Sequence, residues 1–167
     1  TVEESILSSV KMGGRLEMST LSSGHAYAYV CDQYGAELRE EEISWSIDNP
    51  NIVEIKEYGS FYNRNVALLP KAVGSTTLRA YSVSDPSLTW NQTVTVYNPE
   101  ITEFRLSYPS KVLSMNSLGY VSAEMMDQFG MYCQDAELFW TVDNASVLEL
   151  SSSLSKTGHN LILIPRM

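Results

Sequence analysis

The chain has 167 residues, with 20 acidic side chains against 11 basic ones and a formal net charge of −9. That balance opposes long-range attraction to nucleic acid or to an anionic lipid surface. No run of about 18 apolar residues could span a bilayer, and no basic-then-apolar leader stands at Thr1, so the start reads as a fragment boundary.

Short runs rich in Val, Ile, Leu, Thr and Tyr alternate with period two between Gly, Asn, Asp and Pro, which predicts an all-β chain without long amphipathic helices. Ser5 to Val10 and Leu16 to Thr20 read as a first strand split at Gly13-Gly14. His25 to Cys31 follows, with Ala26, Ala28 and Val30 on one face and Tyr27, Tyr29 and Cys31 on the other. Ile43-Ser-Trp-Ser-Ile sets Ile43, Trp45 and Ile47 on one face, and a Trp between two aliphatics is a core pin. Ile52 to Ile55 and Val66 to Leu69 come next. Gly74 then leads into a strand with Thr76, Leu78 and Ala80 inward, and Asp85-Pro86-Ser87 marks a turn. Trp90 to Tyr97 closes the series with Val94 and Val96 buried, and Asn98-Pro99-Glu100 is a short connector that proline stiffens.

The whole series then recurs. Cys31-Asp-Gln-Tyr-Gly, Ile43-Ser-Trp-Ser-Ile-Asp-Asn and Ile52-Val-Glu-Ile return as Met126-Asp-Gln-Phe-Gly, Leu138-Phe-Trp-Thr-Val-Asp-Asn and Val147-Leu-Glu-Leu. Asp127 follows Asp32, Trp140 follows Trp45 and Pro165 follows Pro70, each by 95 residues. A fixed period near the roughly 100 residues of an immunoglobulin-type sandwich implies two duplicated units, 1–97 and 98–167, with Trp45 and Trp140 as equivalent core pins. The copy also decides which face of His25 to Cys31 is buried. Val121, Ala123 and Met125 match Ala26, Ala28 and Val30, whereas Ser122 and Glu124 match Tyr27 and Tyr29, so the Ala/Val face points inward. In the second copy the 25 positions equivalent to residues 73 to 97 have no counterpart, which removes two strands. Such a sandwich would expose apolar surface and unpaired backbone. The expectation is a truncated unit or, less simply, a strand donated by another chain.

These residues resemble a known family. The Asp-Gln-Tyr-Gly turn, the Trp-Ser-Ile-Asp strand, Asn-Pro-Asn-Ile-Val-Glu-Ile and Gly74-Ser-Thr-Thr-Leu-Arg-Ala are similar to the bacterial immunoglobulin-like domains of group 2, over most of Ser19 to Val96 and Asn116 to Met167. The resemblance implies two tandem immunoglobulin-like β-sandwiches, the second lacking its last two strands. Such modules stand in tandem in surface adhesins, S-layer proteins and secreted polysaccharide-degrading enzymes, usually as spacers or binding appendages without catalytic residues. It therefore implies an extracellular or cell-surface setting, no cofactor, and neighbouring domains of the parent chain as partners. The glycine such domains often carry after the Ile-Val-Glu-Ile strand is matched only loosely by Gly59, and Gly158 is out of register with it, so that loop is expected to be elaborated.

Chemistry finds little support in the side chains. His25 and His159 are the only histidines, in different repeats and without a nucleophile turn, and both read as surface residues. Cys31 and Cys133 are non-equivalent and read as free thiols. The acidic run Glu37 to Glu42 offers oxygens for calcium but lacks the Asp-x-Asp-Gly spacing that focuses ligands, so a solvated loop is the simpler account. Asp32, Asp127, Asp48 and Asp143 recur as turn formers. Asn91-Gln-Thr and Asn144-Ala-Ser are formal sequons that matter only in a eukaryotic secretory route. Aromatics give the best alternative function: Tyr27 and Tyr29 on an outward face, and Tyr58, Phe61, Tyr62, Tyr81 and Trp90 on or near loops and edges, could stack on a glycan or anchor a host protein. The reading is a non-catalytic spacer of a larger bacterial surface or secreted protein. A glycan- or protein-binding module centred on Tyr27, Tyr29, Tyr58, Tyr62 and Trp90 stays open beside it, as does an accessory domain packed on an enzyme.

Overall fold

The computed structural model describes residues 4–58, 61–108, 112–151 and 159–166, and among them the period-two alternation becomes twelve β-strands. Gly59 and Gly158 lie outside the described residues. The chain separates into two compact units between Pro99 and Glu100.

The first unit contains β1 (Leu7–Arg15), β2 (Glu17–Ser19), β3 (Gly24–Asp32), β4 (Ile43–Ile47), β5 (Val53–Glu57), β6 (Asn65–Pro70), β7 (Gly74–Ser82) and β8 (Thr89–Tyr97), with a short 3-10 turn at Phe61–Asn63. They form two four-stranded sheets, β1-β3-β6-β5 and β2-β8-β7-β4. Every neighbouring pair is antiparallel except β2 and β8, which run parallel. Between the sheets lie Val10, Met18, Ala26, Ala28, Val30, Ile43, Trp45, Leu68, Leu78, Val94 and Val96. Each large aliphatic removed from water there contributes about 1.5–3 kcal/mol. Trp45 is 8% exposed and its indole Nε1 donates to the Asn63 carbonyl at 2.6 Å, so the buried ring has both its apolar contact and its polar partner.

The first strand is split, but not at the glycines. β1 runs through Gly13 and Gly14, and the chain changes sheets at Leu16. The Tyr27 ring occupies the space a Cβ on Gly13 would need, and at Gly14 (φ +141°) a Cβ would collide with the His25 carbonyl. The pair thus admits close cross-strand approach without ending the strand.

The second unit contains β9 (Ile101–Ser107), β10 (Gly119–Asp127), β11 (Leu148–Ser151) and β12 (Asn160–Pro165) in one antiparallel sheet, ordered β11-β12-β10-β9. This repeats β5-β6-β3-β1 strand for strand. Phe104 opposes Met125 as Val10 opposes Val30, so β9 stands 94 residues after β1 while β10 stands 95 after β3. The duplication is legible bond by bond. Asp32 Oδ1 accepts from the Tyr34 and Ala36 amides at 2.9 and 2.8 Å, and Asp127 Oδ1 from the Phe129 and Met131 amides at 2.9 Å each. Lys71 pairs with Glu54 at 2.7 Å, and Arg166 with Glu149 at 2.7 Å.

Three further expectations from the sequence differ from the structure. Leu138–Val142 is not a strand, and Trp140 is half-buried rather than an interior pin. In the first unit β4 has only β7 as a neighbour, and among the described residues of the second unit no strand pairs with Leu138–Val142. Cys31 is fully buried although it shares parity with Tyr27. The chain beyond the turn doubles back over it, bridging Cys31 to Glu37 and donating Leu38 N–H to Val30 O at 2.9 Å. His159 is buried, not on the surface. Its ring lies within 2.7 Å of the Ala136 carbonyl oxygen through Nε2, and 3.1 Å from both the Tyr132 hydroxyl and the Ala123 carbonyl through Nδ1.

Candidate functional site

The exposed aromatics were the leading ligand candidates, and each has a local structural reason for its position. Tyr27 faces outward from β3 and is half-exposed, with its ring over Gly13, its cross-strand partner. An aromatic laid across a strand glycine restores the packing that the glycine lacks. Tyr29, two residues on, is half-buried opposite Lys11. Trp90 is exposed on β8 opposite Ala80, in the other sheet. Its parity is that of the buried Val94 and Val96, at the strand's far end. Tyr58 is exposed just beyond β5, and Tyr62 is exposed in the 3-10 turn. The five residues are therefore divided between two sheets and a connecting loop. Tyr27 and Tyr29 share one strand face and Trp90 does not join them.

The turn that holds Tyr62 is tightly constrained. Tyr62 and Asn63 both adopt left-handed backbone angles, φ 67° and 49°. Such angles in non-glycine residues persist only where surrounding bonds over-determine them. Here the Asn63 carbonyl receives the Trp45 indole N–H at 2.6 Å, and the Asn63 side-chain amide donates to Glu42 Oε1 at 3.2 Å. The Arg64 guanidinium lies 5.6 Å from the Tyr62 ring centroid, pairs with Glu37 and donates to the Leu38 carbonyl. The acidic run is thus partly neutralised from within, by Arg64 at Glu37 and by Asn63 at Glu42. Among the described residues no three His, Cys, Asp or Glu side chains are placed to hold a metal ion.

In the second unit, Arg64 and Glu37 are replaced by His159 and Tyr132, each 95 residues on. A contact persists at the same place with different chemistry: a Tyr hydroxyl meets an imidazole where a carboxylate met a guanidinium. Sequence reasoning missed this because the partners lie 27 residues apart in both units. Aligning the copies would have paired them. Nearby, burial and then the Asp127 carboxylate push the Cys133 thiol above its ordinary value. Burial is likewise the main cause of the raised Tyr132 phenol, with the Glu124 carboxylate next. Both shifts favour the neutral, unreactive form.

The other unusual surface is the inner face of the β11-β12-β10-β9 sheet. Phe104 and Leu106 are 51% and 50% exposed, although they occupy the places of Val10, 2% exposed, and Met12.

Surface-layer protein SbsC is the solved structure that decides the comparison. Its domains 4–9 superpose with a TM-score of 0.54 at 16% identity, covering 98% of this chain and 27% of that one. The fold is immunoglobulin-like. Domains 1–6 of SbsC give a TM-score of 0.54 at 15% identity, over 97% of this chain and 22% of that one. Invasin, a bacterial integrin-binding protein, reaches a TM-score of 0.43 at 11% identity over 99% of this chain and 36% of its own, which is too low to carry an argument. Against protein-family models and curated proteins the chain finds no match. The chain spans about a quarter of the SbsC chains it resembles, and the likeness establishes fold alone.

Proposed function

We propose that this immunoglobulin-like pair is a non-catalytic structural module of a larger bacterial protein, outside the cell or on its surface. It would hold an adhesive or enzymatic module in place by the stiffness of its units. One observation carries this reading: the repeated residues serve folding. Asp32 and Asp127 build the same turn, Lys71/Glu54 and Arg166/Glu149 the same brace, and Trp45 fastens its own loop. Likeness in fold to domains of a surface-layer protein supports the setting. So does the resemblance to group 2 bacterial immunoglobulin-like domains carried by the Asp-Gln-Tyr-Gly and Trp-Ser-Ile-Asp segments.

The test is replacement. Exchanging this stretch within the parent protein for an unrelated immunoglobulin-like pair of equal length should leave display and activity of the remaining domains unchanged. Loss of ligand binding with the exchanged protein folded and displayed would overturn the spacer reading. The constrained Tyr62–Asn63 turn favours one rival, a glycan- or protein-binding module, because strain in non-glycine residues concentrates at functional loops. Binding on glycan or protein arrays that disappears on Tyr62→Ala but survives Tyr27→Ala/Tyr29→Ala would establish that rival.

A further inference from the structure

The two units share one kind of sheet, so side chains that one copy carries and the other lacks are not demanded by the fold. The outer face of β1-β3-β6-β5 carries such a set. Cross-strand register places Arg15, His25, Ala67 and Lys56 in a single row across all four strands, and sets Lys11 beside Tyr29 further along β1. Lys11, His25 and Lys56 are exposed and Arg15 is half-buried. Arg15 Nη1 is shielded from water and meets no hydrogen-bond acceptor among the described residues. Glu54 is the one carboxylate among the register positions of this face, and Lys71 holds it at 2.7 Å. At the Cys31 end, where the chain doubles back, Glu37 is taken by Arg64. The face is therefore cationic on a chain whose net charge is −9.

The second unit builds the same sheet without these charges. In its matching row Tyr120, Ile162 and Ser151 stand where His25, Ala67 and Lys56 do. Lys11 beside Tyr29 becomes Arg105 beside Glu124, and Arg105 is already paired with Glu103 at 2.6 Å. Ser122 replaces Tyr27. Neither the cationic row nor the two tyrosines is a condition for forming the sheet.

We propose that this face binds an acidic polysaccharide, a linear glycan whose sugars carry carboxylates. Arg15 and Lys56 stand three strand spacings apart, about 14 Å, and Lys11 lies about 13 Å from Arg15 along β1, distances that a few successive sugars span. The unmatched Arg15 N–H takes a carboxylate oxygen in a charge-assisted bond. The Tyr27 ring, laid over Gly13 and 46% exposed, offers a flat surface for a sugar to stack on, and the small Ala67 keeps the floor of the cationic row low. A protein partner is disfavoured because the register positions of this face hold no exposed aliphatic side chain to form a dry centre. Nucleic acid is disfavoured by the acidic body behind the face. The inference goes beyond the spacer reading, because it adds a ligand and does not require the units to be stiff.

Calorimetric titration of this chain with octagalacturonate at low salt is the test. Binding should weaken as salt is raised, and neutral maltooctaose should not bind. Arg15→Gln/Lys56→Gln should weaken binding about tenfold or more. Lys11→Gln/Lys56→Gln, which leaves the half-buried Arg15 in place, should also weaken it, while Arg105→Gln in the second unit should change nothing. Amide shifts on titration should fall on β1, β3, β5 and β6. No binding at low salt would overturn the proposal, as would equal binding of maltooctaose or full binding by both double variants in folded form. A polyglutamate peptide that binds as tightly would overturn the glycan assignment. The titration is read on this chain alone, so it can fail while the domain exchange succeeds, and the reverse.

Discussion

Asp32 and Asp127 show how one side chain fixes a turn. A single carboxylate oxygen accepts from the amides two and four residues on, which satisfies two backbone donors that would otherwise leave the strand end unmatched. Asp32 is buried, so water does not replace the acceptor when it is removed. Asp32→Ala should therefore cost about 1.5–3 kcal/mol, the range for hydrogen bonds to a charged group, and Asp32→Asn clearly less. Urea unfolding of the first unit measures both. Trp45 acts through volume as well as through its N–H. Trp45→Ala should cost about 3–5 kcal/mol and Trp45→Phe about 1 kcal/mol beyond the volume change, because only the bond to Asn63 is then lost. Cys133 gives a chemical readout. With its thiol buried and its titration pushed upward, less thiolate is present at any given pH, so labelling at pH 8 should be at least about tenfold slower in the native protein than in the unfolded one.

At the level of strands, alternation and duplication together made most of the first unit readable. Thr76, Leu78, Ala80, Val94 and Val96 are buried as parity requires, and the comparison of Ala26–Val30 with Val121–Met125 identified the inward face of β3. Parity failed at Cys31, where a segment closes over the outward face, and at the Gly13-Gly14 pair, where glycine serves Tyr27 on the neighbouring strand. Leu138–Val142 failed for a different reason. Its pattern is that of a strand, but a strand needs a neighbour to bond, and propensity does not supply one. The candidate site was less legible. Tyr27 and Trp90 were visible as exposed, but not their separation on two sheets, and the left-handed angle at Tyr62 carries no sequence signal. Gly119 is a further test at this scale. Leu113 and the β-carbon of Leu163 crowd the position a methyl group would take, so Gly119→Ala should loosen the β10–β12 pairing and speed exchange of the Asn160–Pro165 amides.

Across the whole chain, equivalent positions sit in unequal surroundings, and that inequality predicts opposite responses to the same change. Val10 and Phe104 occupy matching places on β1 and β9, yet one is 2% exposed between two sheets and the other is 51% exposed on one. Val10→Asp would bury an unpaired carboxylate, which costs several kcal/mol, and should abolish cooperative unfolding of the first unit. Phe104→Asp leaves its carboxylate in water, so the second unit should shift by no more than about 0.5–1 kcal/mol and the chain should become less prone to associate through that face. Two transitions in urea, the lower one belonging to the second unit, would let both effects be read in a single experiment, since each variant moves its own transition and leaves the other in place. Should Phe104→Asp destabilise as severely as Val10→Asp in a monomeric sample, the inner face of the β9 sheet would have to be covered already, and the half-sandwich description of the second unit would be wrong.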